Sequence, residues 1–105
     1  MPIIRSGAGI VTQINVFEVS EHNQQALIDL LIEAAEFSRH TPGWLSASLH
    51  RSLDGTAVVN YAQSDSIESA RRVIDRLRAE GFLERNAGLA TAHPGLYEVA
   101  FTLER

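Results

Sequence analysis

An α+β fold is predicted, four antiparallel strands and two main helices in the order βαββαβ. Three features predict it: two-residue alternation over Gly9–Val19, the turn dipeptide Asp54-Gly55 between two alternating stretches, and helical periodicity in the segments joining the strands. Long connections after the first and third strands favour a ferredoxin-like antiparallel sheet with both helices on one face. The 105 residues read as a single domain, 1–105, able to bury about 65% of the surface exposed by the unfolded chain.

In the first strand Ile10, Thr12, Ile14 and Val16 share one face, and Val11, Gln13, Asn15, Phe17 and Val19 the other, because side chains alternate along a strand. Ser20 can cap a helix in which Leu27, Leu30, Leu31, Ala34 and Ser38 recur at helical spacing, ending where Arg39 and His40 meet Thr41-Pro42-Gly43. Hairpin strands follow at about 44–53 and 56–64. Asp54-Gly55 suits a type I′ turn, whose two central residues both take positive φ. That turn pairs residue 53 with 56 and 49 with 60, so Asn60 shares a face with Leu45, Leu49, Arg51, Val58 and Ser64, while Trp44, His50, Val59 and Tyr61 lie opposite. Register alone leaves open which face is covered. Asp65 with Glu68 reads as a capping box for a second helix with the stripe Ile67, Ala70, Val73, Ile74 and Leu77. Gly81 ends that helix, Phe82–Ala92 reads as a short helical piece, and His93-Pro94-Gly95 breaks it before a last strand that turns Tyr97, Val99, Phe101 and Leu103 inward.

A net charge of −4 and a pI near 5.5 argue against nucleic acid as a partner, since phosphate binding needs a basic surface. The arginines at 71, 72, 76, 78 and 85 and the acids Asp29, Glu33 and Glu36 read as two solvated helix faces. Without cysteine there is no disulfide framework, thiolate site or cysteine nucleophile, which is compatible with a reducing compartment. His22, His40, His50 and His93 have no i, i+3 or i, i+4 pairing, so no metal site is expected. No apolar run reaches the ~20 residues of a membrane span, and Met1–Arg5 does not open a signal peptide. A cytoplasmic protein with no membrane partner is expected. Gly7-Ala8-Gly9 leads into a strand and Thr12 replaces the third glycine, so it is no dinucleotide fingerprint. The serines have no His and acid companions readable in sequence.

Two helices cover one face of a sheet, yet the first strand and the hairpin are apolar on both. An exposed apolar face costs ~25 cal/mol per Å² and favours association, so a homodimer is expected.

The stretch Thr41–Asp65, with its Pro-Gly entry, long hairpin and Asn60-Tyr61 just ahead of a helix start, resembles the antibiotic biosynthesis monooxygenase family. These are small dimeric α+β barrels, some of which oxidise phenolic rings without metal or cofactor. The resemblance implies that two sheets face one another, that the uncovered face walls a ligand cavity, and that Asn60 faces it as the catalytic residue. There an amide hydrogen-bonds a substrate hydroxyl or carbonyl and stabilises charge developing on oxygen. Asn15, Phe17, Leu49, Arg51 and Ser64 are the implied substrate-binding residues, with Tyr61 and His50 as proton carriers only if the opposite face contributes. Many members carry a Trp four residues after the Asn, where this chain has Ser64, and some quinol-oxidising relatives carry two His near positions held here by Arg76 and Gly81. Haem-degrading relatives share an Asn at a place like Asn15, but no His between Asp65 and Ala92 supplies an axial ligand. The expected function is a cofactor-independent monooxygenase acting with molecular oxygen on an electron-rich aromatic or quinol-like small molecule. The alternative is a non-catalytic dimeric barrel that binds or senses a small hydrophobic ligand.

Overall fold

The computed structural model describes residues 1–105. Its elements are β1 (Val11–Val19), a 3-10 turn (Glu21–Asn23), α1 (Gln24–Ser38), β2 (Trp44–Arg51), β3 (Ala57–Ser64), α2 (Ile67–Ala79), α3 (Phe82–Ala87) and β4 (Ala90–Tyr97). The sheet order is β2-β3-β1-β4 and each neighbouring pair is antiparallel, the predicted ferredoxin-like arrangement.

The core forms where α1 crosses β1 and β3. Leu27, Ile28 and Leu31 lie on one side of α1 and pack with Phe17, Val19 and Val58 from the sheet. Leu27 and Val58 are wholly buried, and complete burial of such a side chain contributes about 1.5–3 kcal/mol. Gln24 fastens the start of α1 to the hairpin end, donating from Nε2 to the carbonyls of Ser52 and Ala57 at 3.2 and 3.0 Å. Leu30, expected in the buried stripe, is only half-buried, and Ile28 takes its place.

The hairpin register is as predicted, with Leu49 opposite Asn60, but the turn differs. Ser52 N–H donates to the Ala57 carbonyl and Gly55 N–H to the Ser52 carbonyl, and only Gly55 has positive φ, 83°. Asp54 stays out of the left-handed region, and its Oδ1 accepts from Ser52 Oγ and from the amide and hydroxyl of Thr56. At α2 the cap is Ser66, whose hydroxyl accepts from Ser69 N–H at 3.1 Å, in place of the expected Asp65–Glu68 box.

The last strand is also displaced from its expected place. It runs from Ala90 to Tyr97, so His93-Pro94-Gly95 lies inside it, and residues 98–105 have no regular structure. A proline is tolerated because β4 has a single neighbour, β1.

The face away from the helices is half covered. Gln63 donates from Nε2 to the Arg5 carbonyl and to Thr12 Oγ1, and its Oε1 accepts from Arg5 N–H, so the N-terminal segment lies across one end. Ile14, Val16, Val59 and Tyr61 stay at least partly exposed on the remainder.

Candidate functional site

Between the sheet and the three helices lies a partly enclosed cavity of ≈ 50 Å³. Small residues help to leave it open: Ala47 and Ala62 on the strands and Ala34 and Ala35 on α1 line it beside the packed core. Phe17, Leu31, Val73, Leu77 and Leu83 supply apolar wall, and Trp44, Gln13, Asn15, Ser38, Asn60 and Asn86 complete it. The space suits dioxygen or a few waters, each needing about 10–15 Å³. A polycyclic ligand, by comparison with usual pockets of about 300–1,000 Å³, must part the walls.

Asn15 and Asn60 are direct cross-strand partners on β1 and β3. The Asn15 Oδ1 accepts from the His93 backbone N–H at 3.1 Å, which holds that amide against β4. The Asn60 Oδ1 is buried without a hydrogen-bond partner, and so is the Oδ1 of Asn86. Such atoms are costly, because nothing replaces the hydrogen bonds water gave them.

No titratable side chain lines the cavity. His50 and Tyr61 belong to the opposite sheet face, and neither packs beneath a helix. No group of three or more His, Cys, Asp or Glu is placed to hold a metal ion.

The placement of the predicted residues is mixed. Asn60, Asn15 and Phe17 converge on the cavity. Their face is the helix-covered one, whereas the sequence reading put the cavity on the uncovered face. That expectation came from the resemblance, which implied two facing sheets; the space these three residues line lies instead between the sheet and its own helices. Leu49 packs on the core cluster and does not reach the cavity. Arg51 is exposed at the hairpin end, where Nη2 donates to Gln25 Oε1 at 2.7 Å on α1. Ser64 is buried but also outside the wall. Arg76 donates to Thr41 Oγ1 and lies over the Phe37 ring, 4.6 Å from its centroid, and Gly81 forms the turn between α2 and α3.

Two wall residues were missed. Trp44 was expected opposite Asn60, but the β2–β3 pairing shifts between Trp44 and Ser46, so Trp44 pairs with Ser64 while Ser46 pairs with Gln63. This extra residue in β2 reverses the alternation and turns the indole under the helices. Gly43 anchors the entry: its φ is 89° and its carbonyl accepts from Asp65 N–H at 2.8 Å, tying the start of β2 to that of α2. Asn86 sits one turn after Phe82 on α3, so both point inward. Phe82 packs on Phe37 of α1 with ring centroids 5.6 Å apart, and Arg85 covers its other side. The i, i+4 repetition Phe82–Asn86 was the available signal.

No family model matches the chain. Over 64 residues it is 44% identical to tetracenomycin-F1 monooxygenase of Streptomyces glaucescens, an alignment taking in 60% of this chain and 57% of that protein. The crystal structure of SnoaB, a cofactor-independent oxygenase from Streptomyces nogalater, superposes with a TM-score of 0.81 at 24% identity, over 93% of this chain and 100% of that one. A monooxygenase from the gene ActVA-Orf6 of Streptomyces coelicolor, solved in complex with nanaomycin D, superposes with a TM-score of 0.78 at 30% identity, over 92% of each chain. With that identity carried across nearly the whole length of both chains, this protein belongs to the antibiotic biosynthesis monooxygenase family.

Proposed function

We propose that the protein is a cofactor-independent monooxygenase that oxidises an electron-rich aromatic or quinol-like small molecule with molecular oxygen, and that the cavity between the sheet and the helices is its active site. The observation carrying this reading is the Asn60 Oδ1, buried and unpartnered in a mostly apolar wall. A carboxamide has an acceptor and two donors. It accepts from a phenol O–H on binding and, after a half-turn of the amide, donates N–H to the phenolate oxygen as charge develops. The relatives support the chemistry through the tetracenomycin-F1 monooxygenase and SnoaB, and the ligand class through nanaomycin D.

The reaction balances without a reductant. A phenol with hydrogen on the carbon para to its hydroxyl loses that O–H proton, and the phenolate passes one electron to dioxygen. The resulting radicals join at the para carbon; the peroxide O–O bond then breaks with loss of the ring hydrogen, giving a para-quinone and one water from one phenol and one dioxygen. Triplet oxygen reacts slowly with a neutral singlet molecule, so the protein's tasks are to favour the phenolate, exclude water and hold the ring. With no base on the wall, the phenolic proton leaves through solvent during binding.

The same reading makes the protein a homodimer. It is supported by the partly open sheet face and by the residues after β4, where Phe101 and Leu103 are 78% and 86% exposed. Sedimentation giving a monomer at micromolar concentration would remove this part.

Oxygen uptake by the chelator-treated protein with polycyclic phenols tests the catalytic reading. Repeated turnover, lowered about 10²-fold or more in Asn60→Ala, is expected for removal of an oxyanion-stabilising donor. Ligand-induced thermal stabilisation without any uptake would instead indicate a protein that binds such molecules and leaves them unchanged.

A further inference from the structure

We infer that the aromatic substrate reaches the cavity through a hollow between α1 and the edge strand β2, past Trp44, and that Arg5 and Arg39 at this mouth admit it as the phenolate. This rests on the proposed function and adds to it a route and the charge state of what passes.

The route follows from shared walls. A hollow of ≈ 470 Å³, open to solvent, lies between the C-terminal half of α1 and the start of β2, and Ala35, Trp44 and Ala47 line both it and the inner cavity. The hollows beside Gly7–Val11 and beside Glu18–Ser20 share no wall residue with that cavity. The outer space is of the size that holds a fused ring and the inner one is not, so a ring can be received outside before the walls part. They can part here at small cost. β2 has one neighbour, β3, and its pairing is already irregular between Trp44 and Ser46. The hydrophobic core draws on α1 no further than Leu31 and on β2 only at Leu49, so displacing Ala35, Trp44 and Ala47 leaves it packed.

The charge at the mouth favours an anion. Arg5, Glu36 and Arg39 are the charged side chains on the hollow, two guanidinium groups against one carboxylate, in a chain whose net charge is −4. Arg39 is exposed and takes part in no ion pair. Arg5 is held in place through its backbone, whose N–H and carbonyl both pair with the side chain of the wholly buried Gln63. A cation beside a phenol favours its charged form. The cavity wall beyond carries no titratable side chain, so a phenol gains no base by moving inward, and the mouth is where protein charge can favour ionisation.

The test is stopped-flow binding of 2-naphthol and of its methyl ether to the full chain without oxygen, followed by Trp44 emission. For the unmodified protein the 2-naphthol association rate should rise with pH in step with the phenolate fraction and fall with added salt, while the rate for the ether stays within about twofold. Arg39→Gln should slow naphtholate association about three- to tenfold. Arg71→Gln, the same charge change on α2 away from the hollow, should not, and neither variant should alter the ether. A second measurement tests the route. The chain has no cysteine, so Glu36→Cys can carry a bulky disulfide-linked adduct at the mouth. The adduct should slow entry of both probes by about tenfold or more, and its reductive release should restore them. Entry at full speed with the adduct in place overturns the route, and an unchanged naphtholate rate in Arg39→Gln overturns the selection by charge. In both cases repeated oxygen uptake by the unmodified protein leaves the proposed function standing. Failure of both probes to bind the unmodified protein overturns the cavity reading itself and this inference with it.

Discussion

Trp44 stands directly across the β2–β3 ladder from Ser64. The resemblance led an indole to be expected at the position of Ser64; here the neighbouring strand delivers one to the same rung. The irregular pairing after Trp44 turns it inward, and the small Ser64 side chain leaves it room.

Trp44 is the single tryptophan of the chain, so its emission reports on the cavity without labelling. Ligand binding is expected to quench it. Trp44→Ala should weaken ligand affinity about tenfold, from lost stacking and apolar contact. Unchanged affinity in a folded variant would place the ligand elsewhere.

The pH dependence of turnover is expected to follow the substrate. Because the wall carries no titratable side chain, kcat/KM should rise about tenfold per pH unit below the phenol's own pKa and level off above it. Two phenols of different acidity should therefore give two different inflections. A common inflection would reveal a protein group that ionises.

Gly43→Ala is expected to be severe. The added Cβ would lie 2.0 Å from Ser69 Oγ and 2.6 Å from Asp65 Oδ1, in a residue with φ of 89°. Left-handed strain and overpacking together suggest a loss of about 3 kcal/mol in urea unfolding. Ligand affinity should fall with it, since Gly43 sets the entry of Trp44.

Asp54 gives a pH-dependent contribution to stability. Hydrogen bonds from the Thr56 side chain, then its backbone, then Ser52 hold the carboxyl below its ordinary value. A carboxyl with a depressed folded-state pKa stabilises the fold above its unfolded pKa, and that contribution disappears as pH falls through the lower, folded value. Asp54→Asn should therefore be less stable at neutral pH and show a shallower decline on acidification. Parallel acid limbs in the two proteins would contradict this.

The sheet was legible in the sequence because alternation in β1, β2 and β3 leaves few registers, and Leu49 opposite Asn60 survived even a wrong turn type. Those two results are linked: a type I′ turn at 54–55 and the four-residue loop closed by Ser52 and Ala57 conserve the same pairing. What failed depended on layers and irregularities. Pro94 looked like a break, yet an edge strand with one neighbour accepts it. Trp44 was assigned by parity, which one extra residue inverts. Asn86 was passed over because Phe82–Ala92, read as a short helical piece, was given no buried face, and the packed structure shows that α3 carries a polar group into the interior.

The small size of the cavity has a kinetic consequence. In the empty protein its ≈ 50 Å³ accommodates an oxygen molecule but not a fused ring, so oxygen arriving first finds no electron donor and simply leaves. The ring must enter by separating the helices from the sheet, and oxygen can react only in what space remains beside it. Ordered addition, aromatic before gas, is the expected outcome. Initial-rate plots against oxygen at several aromatic concentrations should intersect in the sequential pattern, with no superoxide released by the protein alone.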